Sequence, residues 1–239
     1  MKPIPALTTC CLLLARQALA NVEKTIFLGP RPVSIPLASP TLEDLHIDTL
    51  NPQNPWSLRT QLTAKFPSAT SPEGYTTWLL LDSLTEGQRY EVRVCWPATQ
   101  PTAFTLRTYE LDTVFETPQL ITSLNNYSLT RQPAEDSPAR RAAGRHDTKE
   151  RHASVLFLEI LAAADYFTTD ATLMQNPPPV DVDIILDPFL LNVLPRSLLP
   201  TVGYILVVAV AAILASQWTL TKLTSIIASA NTSKSKKTQ

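Results

Sequence analysis

From Leu198 to Thr221 the chain reads "LLPTVGYILVVAVAAILASQWTLT", with no Asp, Glu, Lys or Arg anywhere in the run. A helix rises 1.5 Å per residue, so about twenty such residues cross a hydrocarbon layer of ~30 Å. Tyr204 and Trp218 lie near the two ends of the run, where aromatic rings favour the headgroup region. Lys222, Lys234, Lys236 and Lys237 follow without an acidic residue, whereas Asp181, Asp183 and Asp187 outweigh Arg196 on the other side. The lysine bias places the C-terminus in the cytosol. A buried core helix is the alternative, and the length, the missing charges and the flanks fit it poorly. The chain is expected to be a single-pass type I membrane protein, with residues 198–221 as the span and 222–239 as a cytosolic tail.

The other end supports the same topology. "MKPIPALTTCCLLLARQALAN" has a basic start at Lys2, an apolar stretch from Ala6 to Ala15, and a small-residue site at Ala18-Leu19-Ala20. That is the three-part pattern of a secretory signal peptide, residues 1–20, with cleavage before Asn21; Arg16 leaves uncleaved retention open. Cys10 and Cys11 would leave with it, so residues 21–197 form a lumenal body with Cys95 as its single thiol. One thiol makes no internal disulfide, and the body must rest on its hydrophobic core. Cys95 lies in the strand-like "RYEVRVCW", which favours a packed or face-lining thiol over a reactive or intermolecular one.

The tail ends "KSKKTQ". Lys236 and Lys237 stand in the Lys-Lys-x-x arrangement that resembles the dilysine signal by which the COPI coat returns type I membrane proteins to the endoplasmic reticulum. A solvated basic tail is the other reading. Elsewhere charge is balanced, at a formal −1, and no basic patch suggests nucleic acid. Five glycines among 239 residues also leave little material for phosphate-cradling loops.

The lumenal body is patterned in twos. In "WSLRTQLTAKF", Trp56, Leu58, Thr60, Leu62, Ala64 and Phe66 alternate with polar residues, as in a strand with one wet face. "TTWLLLD" is apolar throughout, as in a strand buried on both faces. "RYEVRVCW", "AFTLRTY", "ASVLFLEIL" and "VDVDIIL" are further strands; "EKTIFLG" and "PVSIPL" are weaker, the second an edge because of Pro36. Short strands spaced by Pro-rich turns predict an antiparallel β-sandwich, immunoglobulin- or fibronectin-like, in a mainly β protein. "LTEGQRYEVRV" sets Leu84, Gly87 and Tyr90 before alternating valines, much like a tyrosine corner; an ordinary hairpin with a packed Tyr is the plainer reading. Residues 133–152, "PAEDSPARRAAGRHDTKERH", carry mixed charge and almost no bulky apolar side chain, and are expected to be a disordered insert.

Catalytic chemistry finds little footing. His46, His146 and His152 with Cys95 make no zinc spacing, and no cofactor is expected. Asp181-Val182-Asp183 resembles the metal-binding pair of nucleotide-sugar glycosyltransferases, but no βα alternation precedes it. Period two already explains the pair, with Val180, Val182 and Ile184 facing inward. Asn126-Tyr127-Ser128 is a glycosylation sequon expected on an exposed loop; Asn231-Thr232-Ser233 lies beyond the membrane. "LDPFLLNVLPRSLLPTVGY" is apolar for a stalk, and Phe189, Leu190, Leu191 and Leu194 are candidate partner contacts. The alternative is a last strand or hairpin followed by interfacial insertion.

The blocks "WLLLDSLTEGQRYEVRVCWPATQPTAFTL", "LDTVFETPQLITSLNNYSL", "LAAADYFTTDATLM" and "VDVDIILDPFLLNVLPRSLLPTVGYI" resemble a fungal family, the accessory subunit (co-activator) of glycosylphosphatidylinositol (GPI) mannosyltransferase II. The resemblance implies a non-catalytic protein of the endoplasmic reticulum membrane. Its partner would be a multispanning catalytic subunit that adds the second mannose to the lipid-anchor precursor. It offers no catalytic residues to carry over. Two other classes stay open: a p24-like cargo receptor, and the accessory subunit of GPI mannosyltransferase I. The p24 type is weakened by the absence of a heptad segment, a lumenal cysteine pair and a tail diphenylalanine.

Overall fold

A computed structural model describes residues 21–35, 41–132 and 151–235. The expected signal peptide, positions 133–150 of the expected insert, and Lys236 and Lys237 lie outside the described residues. The described residues form two compact units, divided after Pro188.

The first unit is built on two sheets. One contains β1 (Val22–Leu28), β6 (Arg89–Cys95) and β9 (Val180–Leu190) in that order, with β4 (Ser57–Leu62) also paired to β9; the last two residues of β9 belong to the second unit, where they pair with β10 (Leu194–Pro195). The other runs β2 (Val33–Ile35), β8 (Arg151–Ala164), β5 (Tyr75–Leu84) and β3 (Asp48–Leu50), with β7 (Thr102–Tyr109) also on β8. Every pairing is antiparallel except β3 with β5, which is parallel. The period-two reading therefore holds: Tyr90, Val92 and Val94 from β6, and Val180, Val182, Ile184 and Leu186 from β9, enter the core between the sheets. Leu79, Leu81, Leu158 and Ile160 meet them from the other side. β2 is an edge strand, as Pro36 suggests.

β5 is buried on both faces, as its unbroken apolar run predicts, and the second face explains an addition to the sandwich. Trp78, Leu80, Val155 and Phe157 form a separate core with Val114 and Leu124. Those two residues belong to helices α1 (Leu111–Glu116) and α2 (Pro118–Arg131), a layer that the strand pattern does not reveal. Trp78 Nε1 donates to Ser123 Oγ at 3.1 Å, tying the layer down. The buried Trp ring thus has a partner for its single donor.

The last two residues of the expected insert, 151 and 152, are strand. Arg151 and His152 already belong to β8, paired with Ile35 and Ser34, and Arg151 Nη1 lies 2.9 Å from Asp82 Oδ2. A ladder and an ion pair hold the polar residues that composition alone assigns to the insert.

A short helix, α3 (Ala171–Gln175), is capped by Asp170 and precedes β9. In the second unit, a tight hairpin turn leads from the end of β9 into β10. A short 3-10 turn, Arg196–Leu198, then opens into α4 (Leu199–Ser235). Residues Arg196–Ser225 are long and apolar enough to cross a membrane, with a mean hydropathy of 2.5 in the most apolar window and none of that window buried. The expected span, 198–221, falls inside this segment, and the helix runs on past Lys222.

Candidate functional site

Three surfaces carry the residues singled out by sequence. The first is the outward face of the β1-β6-β9-β4 sheet. Asp181 and Asp183 point outward from β9, as period two requires, and β4 meets both. Arg59 Nε and Nη2 reach Asp183 Oδ1 and Oδ2 at 2.7 and 2.8 Å, a two-pronged pair fixed by the Arg59–Asp183 register. Gln61 Nε2 donates to Asp181 Oδ1 at 2.9 Å, and Gln100 Nε2 reaches Asp181 Oδ2 at 3.4 Å. The guanidinium beside Asp183 holds that carboxyl below its ordinary range. Among the described residues no group of three or more His, Cys, Asp or Glu side chains is placed to hold a metal ion.

Cys95 lines the same shallow cleft, of about 490 Å³, with Arg59, Trp96 and Asp183. It is a free thiol, partly buried, and burial pushes its pKa up; Arg93 opposes that, while Asp183 and Glu91 reinforce it. A thiol so placed is face-lining and not activated. Further along the sheet Glu91 accepts from Lys24 at 3.1 Å and from Arg93 at 3.2 Å, and Arg93 lies 3.7 Å from Asp187. These charges are compensated in place.

The second surface is the hairpin that ends β9. Leu190 and Leu194 pair across it, and the Val193 N–H donates to the Leu190 carbonyl at 3.0 Å. Leu191 and Asn192, the two central residues, have φ of 52° and 58°. Positive φ at both positions is the signature of a type I′ turn, which favours Asn-Gly; Asn192 suits it and Leu191 does not. The candidate contact residues are split by this geometry. Phe189 is only 7% exposed, and Leu194 is half-buried, whereas Leu190 is 39%, Leu191 96% and Val193 77% exposed. A last strand or hairpin is the alternative weighed for this stretch from sequence, but the position of the turn was not marked, because its Leu-Asn pair lacks the usual glycine.

The third surface holds the sequon. Asn126 is exposed, but it sits within α2 and not on a loop; the segment starts with Pro118 at the first helical turn, a helix-start signal.

The described residues thus define a two-sheet domain with a helical layer, continuous in sequence with one long apolar helix. Their polar groups are mostly paired in place, and an apolar hairpin directly precedes the helix. The sequence matches the profile of the family described as Pga1, GPI-mannosyltransferase II co-activator, over residues 14–218, and the chain belongs to that family. It is also similar to a Schizosaccharomyces pombe protein named GPI mannosyltransferase 2 subunit C167.09, at 24% identity over 127 residues. That match covers 53% of this chain and 46% of the relative, so the chain spans about half the length of the curated protein it matches. No solved structure matches.

Proposed function

We propose that this chain is a non-catalytic, stabilising subunit of the endoplasmic reticulum mannosyltransferase that adds the second mannose during GPI-anchor assembly. The family match supports the pathway. The observation that carries the mode of action is the apolar hairpin, Leu190–Val193, a few residues before a helix able to span the bilayer. Leu191 and Val193 are left in water by the chain's own packing, and each could gain ~1.5–3 kcal/mol on burial against a partner. Phe189, nearly buried already, would brace the strand behind the contact, and Leu194 would hold the hairpin's return.

In this reading the signal peptide and the lysine bias put residues 21–197 in the lumen, and the catalytic subunit's lumenal loops receive the hairpin. Lys236 and Lys237 would engage the COPI coat, keeping the pair of subunits in the early secretory pathway; replacing both with Ser should let the chain reach later compartments.

Affinity purification of the tagged full chain tests the contact. Leu191→Asp with Val193→Asp should lower recovery of the catalytic subunit by tenfold or more, a loss of about 1.4 kcal/mol or greater. Recovery at the wild-type level, with the lumenal domain folded, would remove the hairpin from the interface. Recovery lost only when the bilayer is replaced by detergent would assign the hairpin to lipid.

A further inference from the structure

α2 turns an unusual face outward. Gln119, Thr122, Asn126 and Thr130 recur at helical spacing along it, and Arg131 is the one charged residue in the helix. Solvent-facing helix surfaces ordinarily carry charge. Opposite this stripe the segment between β4 and β5 contributes Lys65, Ser68 and Thr70, and Tyr75 opens β5. The two walls enclose an open groove of about 810 Å³. Among the described residues lining it, Lys65 alone is charged at neutral pH, its Nζ lying 5.0 Å from the centre of the Tyr75 ring.

The chemistry of that lining is selective. Thr122 Oγ1 donates to the Pro118 carbonyl at 2.6 Å and Thr130 Oγ1 to the Tyr127 carbonyl at 2.7 Å, so both hydroxyl oxygens face the groove as acceptors. Lys65 and Gln119 supply N–H donors. A phosphate or nucleotide would call for clustered cations, and although the groove takes in Pro118 and Gln119 at the start of α2, Lys65 is its single cation. An apolar ligand would call for apolar walls. Hydroxyls and amides of mixed polarity, with a single cation, suit a neutral polyhydroxylated ligand, a carbohydrate.

Asn126 gives the groove a source of carbohydrate. Its side chain is exposed on the groove wall, while Ser128, the third residue of the sequon, is only 5% exposed. With that hydroxyl packed away and the backbone helical, the folded sequon cannot extend into a transferase. The sugar must therefore be joined before α2 docks on the sheet.

We infer that the groove is the bed of an N-linked glycan carried by Asn126. The Asn126 amide nitrogen attacks the anomeric carbon of a lipid-diphosphate-linked oligosaccharide, loses a proton, and expels the lipid diphosphate. The folded groove then receives the first sugars of the attached chain. A tether holds them at millimolar effective concentration, so a weak site is sufficient. The inference rests on the lumenal placement proposed above.

The full chain in sealed microsomes tests it, after protease protection has established that the domain is enclosed. Endoglycosidase should lower the apparent mass of the wild type by one glycan and leave Asn126→Gln unchanged. Release from the native, detergent-solubilised protein should be about tenfold slower than from denatured protein. Lys65→Ala with Gln119→Ala should bring the native rate up to the denatured one. An enclosed but unglycosylated wild type, or equal release from native and denatured protein, overturns the inference. If the unglycosylated wild type gains hydrogen-exchange protection over 118–131 on adding mannotriose, the groove serves an external sugar instead. A domain open to protease fails by a different readout and takes the lumenal placement with it.

Discussion

The hydroxyl of Tyr90 accepts a 2.9 Å hydrogen bond from the backbone N–H of Thr85, at the turn that leads into its own strand. It donates in turn to Gln88 Oε1 at 3.0 Å, and its ring is 1% exposed and stacked on Phe27. The turn is locked from the other side: Gly29 N–H donates to the Gln88 carbonyl and Gly87 N–H to the Gly29 carbonyl. A Cβ on Gly29 would lie 2.1 Å from the Thr85 oxygen, so the two backbones approach as only glycine allows. This is the tyrosine-corner arrangement that "LTEGQRY" suggests. Tyr90→Phe keeps the packing and strands a backbone donor, which should cost about 1–3 kcal/mol in chemical denaturation of the wild-type and variant chains. A change below a few tenths of a kcal/mol would reduce Tyr90 to a packed ring.

Glu159 yields a pH signature. Its carboxylate is 7% exposed on the helix-covered face of β8, accepts from Tyr109 Oη at 3.1 Å, and lies 3.8 Å from Arg107. Burial raises its pKa above the ordinary 4.5, against the opposing effects of Tyr109 and Arg107. The native state therefore holds a proton that the unfolded state releases in the window above 4.5, and the stability contributed falls as pH rises through the raised pKa. Glu159→Gln removes the buried charge, and Arg107 keeps Glu73 at 2.6 Å. The variant should be at least as stable as wild type at pH 7, and its advantage should vanish as pH falls below 4.5. An advantage unchanged down to low pH would mean that the charge is not its source.

The two surfaces of β5 show how far the sequence reaches. "TTWLLLD" predicts burial on both faces, and each face has its core, one holding Leu79 and Leu81, the other Trp78 and Leu80. What covers the second face was not legible. "LDTVFETPQLITSLNNYSL" has Thr and Asn where a solvent-facing helix would carry Glu and Lys, so no polar face announces a helix. Pro118 was the available signal, a helix-start residue that reads equally as a turn. The parallel β3 is three residues long, too short for any period to register. The candidate contact stretch was legible as apolar, with a last strand or hairpin as the alternative, but the turn at Leu191-Asn192 was not, because Leu191 occupies a conformation that side-chain preference argues against.

Asp181 and Asp183 provide a sharp test of the non-catalytic reading. Both carboxylates are engaged by neighbouring side chains on the sheet surface, Asp183 by Arg59 and Asp181 by Gln61. Asp183→Asn with Asp181→Asn should leave mannosyl transfer by the assembled complex within about twofold of wild type. It should shift stability little, since both members of the Arg59–Asp183 pair are solvent-exposed and screened. The Asp183 contribution is present above pH 3.8 and fades as pH falls through its lowered pKa, so any difference should vanish in acid. Transfer reduced by orders of magnitude in an intact complex would demand a metal-binding role for the pair.

Leu191 separates folding from assembly. Its φ of 52° places a leucine in the left-handed region, at a cost of roughly 1–2 kcal/mol relative to a right-handed backbone, and its side chain is 96% exposed. Asn tolerates this conformation better, because its short polar side chain bonds locally to the backbone. Leu191→Asn should therefore leave the isolated chain as stable as wild type or more stable by up to about 1 kcal/mol, measured by thermal or denaturant unfolding. The same change removes the apolar side chain with the greatest exposure in the turn. Co-purification with the catalytic subunit should fall severalfold, while Leu191→Met, which keeps the apolar bulk, should retain it. A gain in stability together with unaltered recovery of the partner would show that the strained leucine serves neither the fold nor the complex.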